Sequence, residues 1–197
     1  MAAGLLLLAA AFLLADYNLL DELRAGQAAG QVLEQMPAPD RVQAPDSGSV
    51  EQEIPDYILD PNRDMPTVEI DGNAYIGTLD IPVLDLSLPV MSDWSYPKLK
   101  TAPCRYAGTA YQSGFVIAGH NYRRHFGPLS RLVLGDRVTF TDVDGNRFYY
   151  QVAETQVLEP TAIEAMTSED WDLSLFTCTL GGQTRLTVRC DKVETGD

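Results

Sequence analysis

From about residue 66 to its C-terminus the chain never holds a helical period; its apolar residues come in short runs cut by turn residues. That texture admits a sheet protein and little else. A strand needs only a few residues of continuous or alternating apolar character, whereas a helix needs a stripe kept over several turns. AYIGTLDI (74–81), LSLPV (86–90) and SGFVIAGH (113–120) read as strands. Pro89 cannot donate to a ladder, which moves the second of these toward a sheet edge. Over residues 135–159, Val138 and Phe140 alternate with polar residues and Asp144-Gly145 supplies a tight turn, so a hairpin is expected. DLSLFTCTL (172–180) and TRLTVRC (184–190) form a further pair around Gly181-Gly182. Strands at this spacing predict a closed or nearly closed antiparallel β-barrel over residues 66–197.

The first 65 residues have a different character. Residues 2–15, AAGLLLLAAAFLLA, contain no polar group. As a helix they span roughly 21 Å, short of the ~30 Å hydrocarbon core of a bilayer. No basic residue precedes the run and no small-x-small cleavage site follows it. A membrane anchor with a shortened start is the favoured reading; a signal-peptide core and a buried helix are the alternatives. Residues 17–36 place Leu19, Leu20, Leu23, Ala28, Val32 and Met36 near one helical face, and Pro37 and Pro39 stop that helix. It is expected to carry the anchor away from the membrane, with an amphipathic helix packed on the barrel as the alternative. The organisation is therefore an apolar anchor and helix over 1–36, an acidic Pro-rich linker over 37–65, and a barrel over 66–197. The linker has too few large apolar groups to offset its ordering entropy, so residues 1–65 are expected to be dispensable for folding.

Charge follows the same division. The chain has 14 basic and 28 acidic side chains, a net of 14 − 28 = −14. Residues 16–72 hold 3 and 13 of these, which leaves 11 and 15 for residues 73–197. A chain so acidic lacks the clustered cations that non-specific nucleic-acid binding requires, and no nucleic-acid partner is expected. Locally, Lys98, Lys100, Arg105, Arg123, Arg124, Arg131 and Arg137 face only Asp136 in residues 98–137. Apolar residues make up 45%, enough for a packed core, and three cysteines exclude a disulfide-dense scaffold. Cys104 and Cys190 are read as two free thiols rather than a bridge.

With two histidines and three cysteines the candidate chemistry can be enumerated. Cys178 ends one apolar strand and His120 ends another. Arg185 opens the strand that follows Cys178 across a six-residue loop, so the return brings the two close. A thiol nucleophile, a proton shuttle and a cation for a developing oxyanion are the parts that acyl transfer needs. Each residue also has an ordinary reading, as a small buried hydrophobe, a hydrogen-bonded structural histidine or a surface cation. His120 and His125 lie five apart with no acidic ligand between them, so no metal site is expected, and no cofactor.

Six segments, in order, resemble the sortases, the membrane-anchored cysteine transpeptidases of Gram-positive bacteria. Ser174-Leu175-Phe176-Thr177-Cys178 is similar to the family's T-L-x-T-C, with Ser in place of the first Thr. Ala118-Gly119-His120-Asn121 resembles the segment holding its catalytic His, and Arg185-Leu186-Thr187-Val188 its R-L-x-V strand. Ile76–Pro82 with Leu88-Pro89-Val90 resembles the first two strands. Phe126-Gly127-Pro128-Leu129 and Gly135-Asp136 match an F-x-x-L and a G-D.

The resemblance implies an all-β, closed eight-stranded sortase barrel with short helices, its Cys ending the seventh strand and its Arg on the eighth. It implies that Glu159–Trp171 is the loop walling a sorting-signal groove, with a short helix in its AIEAM run. It also implies a two-step transpeptidation: Cys178 attacks an LPxTG-like signal, His120 serves the leaving and entering amines, and Arg185 steadies the oxyanion. The implied partners are surface-protein or pilin sorting peptides, an amine from a peptidoglycan precursor or pilin lysine, and the membrane. The catalytic domain would then lie outside the cell. Pilin-polymerising members often carry an Asp-Pro-aromatic lid; here Asp60-Pro61-Asn62 lacks the aromatic and Asp93-Trp94 falls inside the barrel sequence, so a lid has little support and the subclass stays open. The alternatives are a tethered, non-catalytic β-barrel binding module and another cell-wall Cys/His acyl transferase. Of the latter, an L,D-transpeptidase would carry S-x-G-C at the nucleophile, where this chain has Phe176-Thr177-Cys178.

Overall fold

The computed structural model describes residues 2–37, 54–179 and 181–194. Most of the expected linker, 38–53, lies outside them. A single long helix, α1 (Ala2–Gln35), covers both apolar N-terminal segments. The short helix α2 (Asp56–Leu59) follows, and then strands β1 (Val68–Ile70), β2 (Asn73–Ile81) and β3 (Leu86–Met91). Helix α3 (Tyr96–Leu99) leads to β4 (Cys104–Ala107) and β5 (Phe115–Ala118). The hairpin β6 (Arg137–Asp142) and β7 (Arg147–Leu158) is followed by α4 (Ile163–Met166), β8 (Leu173–Cys178) and β9 (Arg185–Val193).

The nine strands run in the order β1-β2-β3-β4-β5-β8-β9-β7-β6, and β6 pairs back onto β2. That closure leaves β1 as a flap on β2 and makes an eight-stranded barrel of the rest. Gly77 permits the seam: it lies at a register shift in β2, and a Cβ there would collide with the Thr141 carbonyl oxygen of β6. Pro89 sits on β3, whose contact with β4 is one parallel bridge, Met91 to Cys104, so its missing donor breaks no ladder. The interior is filled from all sides by Ile76, Leu79, Phe115, Ile117, Phe140, Phe148, Leu175 and Val188.

The barrel is mixed rather than antiparallel, which corrects the expected topology. β3 pairs β4 in parallel, and β5 pairs β8 in parallel from Phe115–Leu173 to Ala118–Phe176. The hairpin and loop spacing along the sequence describes connections between neighbours in chain order. It carries no signal for the β5–β8 contact, whose partners are separated by the whole β6–β7 hairpin.

The N-terminal segments also differ from expectation. No helix among the described residues is long and apolar enough to cross a membrane. Over residues 7–20 α1 is exposed, Leu7 to 72%, yet its second half packs on the barrel through Ala25, Ala29 and Val32. These positions are spaced i, i+4, i+7 and form one helical stripe. The larger Leu19, Leu20 and Leu23 of the predicted face stay exposed. The part of the linker from Ile54 onward also packs: Tyr57 stacks on Tyr111 at 4.9 Å, and Met65 is buried in the main core. Among the described residues of this segment, Ala25, Ala29, Val32 and Met65 thus belong to the packed core, which weighs against the expectation that residues 1–65 are dispensable.

Candidate active site

The parallel pairing of β5 with β8 positions the chemistry. Ala118 and Phe176 are register partners, and the Gly119 amide donates to the Phe176 carbonyl at 3.0 Å. Both strands run the same way, so His120 and Cys178, each two residues farther on, leave the barrel at the same rim. Across the other edge of β8, Cys178 is the register partner of Arg185 on β9. The three sequence candidates thus meet at one rim. Gly119 holds the turn that carries His120: a Cβ there would collide with the Phe126 ring packed beneath it.

Cys178 is exposed and borders two cavities. One, of about 120 Å³, has an apolar lining that includes Trp94, Tyr96, Tyr106, Met166 and Phe176, and Gly119 and Arg185 line it too. The other, of about 480 Å³, is bordered by Asn121, Gly127, Ser130 and Leu186. The residues on either side of His120 each line a cavity that reaches Cys178. Pro160 and Met166 place the β7–β8 loop in the wall, as expected for that loop, and α4 is the short helix expected at AIEAM.

Arg185 is half-buried and leans on the turn, Nη1 donating to the carbonyls of Gly182 at 3.0 Å and Thr184 at 3.2 Å. Both bonds leave from one nitrogen, so the rest of the guanidinium fork is open for a further acceptor. His120 is stacked on Tyr122, ring centroids 3.8 Å apart at 14°, and its Nδ1 is buried with no hydrogen-bond partner among the described residues. Burial pushes the His120 pKa below its ordinary value; the Asp21 carboxylate opposes this and Lys100 adds to it. His125 is fully buried under the same turn, and burial lowers it to about 4, so it is neutral at pH 7 and stands apart from the rim.

The other two thiols differ from Cys178. Cys104 and Cys190 are buried and unbridged, and burial pushes Cys104 up to about 12 and Cys190 up as well. Asp60-Pro61-Asn62 holds Gln112, through the Pro61 carbonyl and Asn62 Oδ1, and borders neither Cys178 cavity. Trp94, in contrast, stands in the wall. The aromatic side of the groove was missed in the sequence because its members come from three separate elements; only the density of Trp94, Tyr96 and Tyr106 between two strands could have signalled it.

Comparison with known proteins agrees with this architecture. The Sortase domain profile matches residues 79–193. Sortase A of Listeria monocytogenes is 26% identical over 114 residues, 55% of this chain, and the chain spans about half of that relative, 51%. The crystal structure of sortase C1 from Streptococcus suis superposes with a TM-score of 0.55 and 26% identity, covering 61% of this chain and 74% of that one. A Clostridium perfringens sortase D5 transpeptidase gives a TM-score of 0.56 at 23% identity, over 64% and 83% of the two chains, a likeness of fold. With a profile match over more than half of its length and an eight-stranded barrel of the same kind, the chain belongs to the sortase family.

Proposed function

We propose that this protein is a cysteine transpeptidase in which Cys178 is the nucleophile, His120 the proton shuttle and Arg185 the oxyanion partner. The observation that carries the reading is the exposed Cys178 at the mouth of an apolar-walled cavity, in register with Arg185 and on the same rim as His120. The Cys178 thiolate attacks the carbonyl carbon after Thr in an LPxTG-like peptide. The oxyanion that forms lies within reach of the free part of the Arg185 fork. The C–N bond to Gly breaks, the leaving amine takes a proton from His120, and a thioester remains. An incoming amine, from a cell-wall precursor or a pilin lysine, attacks the thioester, gives its proton back to His120 and releases the thiolate. The apolar wall of Trp94, Tyr96, Tyr106, Met166 and Phe176 suits the Leu-Pro portion of such a peptide. The exposed apolar half of α1 would hold the enzyme at the membrane, with the barrel outside the cell.

The test is incubation of the full chain with an LPxTG peptide and a small amine, read by mass spectrometry. The expected products are a Cys178 adduct lacking the residues after Thr and a peptide–amine conjugate. Absence of both with a range of sorting peptides would remove the reading.

A further inference from the structure

The last exposed turns of α1 pass beside the turn that carries His120, and the contacts there are polar. Asp21 Oδ2 accepts a hydrogen bond from the Tyr122 hydroxyl at 2.5 Å, across 101 residues of sequence. Glu22 Oε1 accepts from the Arg123 backbone amide at 2.7 Å. Lys100 Nζ approaches the same Asp21 carboxylate oxygen at 3.8 Å. One turn later Ala25 is buried, and the Arg124 side chain crosses close over Gly26, where a Cβ would make it shift. Tyr122 in turn lies face to face with His120. The 120–126 turn is therefore gripped from outside by a helix that belongs to the N-terminal segment, not to the barrel.

We infer that α1 is a positioning element for His120, with Asp21 acting through the Tyr122 ring that stacks on the imidazole. This rests on the catalytic reading of His120 given above.

Two physical effects follow from the geometry. First, the hydroxyl bond fixes the phenol ring, and a fixed flat ring limits the imidazole to one plane, because Nδ1 has no hydrogen-bond partner among the described residues to do so. In a site where a histidine is ordinarily oriented by a hydrogen bond to its second nitrogen, stacking on a pinned aromatic is the substitute. Second, a phenol that donates to a carboxylate carries more electron density over its ring, which favours an imidazolium stacked on it. The Asp21 charge acts in the same direction through space. The charges that act on His120 from the packed elements are Asp21 on α1 and Lys100 in the α3–β4 connection, with Tyr122 and His125 in its own turn and Cys178 and Arg185 on the same rim; Asp21 is the one carboxylate among them. Tyr122 is held protonated by burial and by Asp21, so it stays a donor at any working pH.

The consequence is that the N-terminal segment does more than tether. Docked, it orients the proton shuttle and raises its basicity against the lowering effect of burial. Undocked, it leaves Tyr122 without its acceptor and His120 with a loose neighbour.

The test uses the full chain and two conservative variants, Asp21→Asn and Tyr122→Phe, alone and together. The first measurement is the titration of the His120 ring by NMR, which needs no turnover. Asp21→Asn removes the one carboxylate acting on His120, so its pKa should fall. Tyr122→Phe keeps the stack and removes only the hydroxyl, so a smaller fall is expected. The double variant should match Asp21→Asn alone, because the two act through one bond. The second measurement is peptide turnover against pH, where each variant should lose roughly tenfold in kcat and shift the His120 limb to lower pH, a misplacement effect. A His120 titration that is unchanged in all three variants would overturn the inference. So would additive effects of the two substitutions. Because the titration is independent of chemistry, a chain that shows the predicted shifts but processes no peptide would fail the catalytic reading alone and leave the α1–His120 coupling standing.

Discussion

Strand β9 carries two arginines four residues apart, on the same face, in opposite surroundings. Arg185 opens the strand at the rim, opposite Cys178, and among the described residues is bonded only to turn carbonyls, through one nitrogen. Arg189 lies about 13 Å deeper at a strand rise of ~3.3 Å per residue. It is 1% exposed. Its Nη1 donates to Ser174 Oγ at 2.7 Å and to the Met166 carbonyl at 3.1 Å, its Nη2 to the Ala165 carbonyl, and its Nε to Gln156 Oε1 at 3.3 Å. All four acceptors are neutral, so a buried cation is kept by directed dipoles. Those carbonyls belong to α4, the helix that puts Met166 into the groove wall. One guanidinium is thus available for a ligand and the other is consumed by the scaffold. The same residue type serves recognition or architecture according to how many of its five donors the fold has already used.

The sharpest break between rim and interior is at the partner of Arg185. Cys178→Ala removes one exposed sulfur, so acyl-enzyme formation should vanish while the melting temperature stays unchanged. Acylation is read by mass spectrometry. If Cys178→Ala still cleaves the peptide, the rim is not the reacting centre. Cys104→Ala and Cys190→Ala should leave turnover within a few-fold, since both thiols are buried, unlike Cys178, and burial raises their pKa values.

Next in size is Arg185→Ala. Loss of a preorganised oxyanion donor costs about 10²–10³ in rate. Arg185→Lys should rescue only part of it, because Lys lacks the planar fork. Neither change should move the melting temperature, since the side chain holds no core group. Acylation rates together with thermal melts decide this.

Arg189→Ala should show the converse. It leaves the Ser174 hydroxyl and two α4 carbonyls without this donor in a closed space, at about 1–3 kcal/mol for an orphaned buried group. For a chain of this size that is a fall of roughly 2–12 °C in melting temperature. Turnover measured well below the melt should fall less than about tenfold. A rate loss at position 189 larger than at 185, with the melt unchanged, would exchange the two assignments.

These two arginines also mark how far the sequence could be read. The strands, the β6–β7 hairpin and the meeting of Cys178 with Arg185 were legible, because each depends on neighbours along the chain: alternation, a tight turn, a short return loop. The distinction between the arginines was legible through distance from the turn and through the match of Arg185, not Arg189, to the R-L-x-V strand. The burial of Arg189 was not, since it depends on α4 folding back from a loop whose sequence is unremarkable in period. Ser174 is the informative exception. It stands at the first motif position, where the family has Thr, and the structure gives that hydroxyl a function as the acceptor for Arg189. The grip of α1 on Tyr122 was illegible for the same reason as the β5–β8 pairing: both join segments far apart in sequence. Moreover, the stripe that docks α1 is made of Ala25, Ala29 and Val32, so small that the larger exposed leucines dominate any hydrophobic pattern.

The smallest expected effect lies in the wall opposite the arginines. Trp94 stands 5.3 Å from Tyr106 and 5.7 Å from Tyr96, and Tyr106 meets Phe176 edge-on at 5.1 Å, 87°. The aromatic run therefore reaches from the surface to a residue two positions before Cys178. Trp94 keeps 40% of its surface exposed, so little folding energy rests on it and a peptide could cover the remainder. An aromatic contact of this kind contributes about 0.5–1.5 kcal/mol beyond its area, or roughly 2- to 12-fold in affinity. Trp94 offers an apolar ring and no acid, base or charge, so it should hold substrate and transition state alike. Trp94→Ala should raise KM by that factor and leave kcat nearly unchanged. Steady-state kinetics with an LPxTG peptide separates the two. If kcat falls while KM holds, Trp94 belongs with Arg185 in stabilising the transition state, and the division between an electrostatic rim and an apolar wall would have to be redrawn.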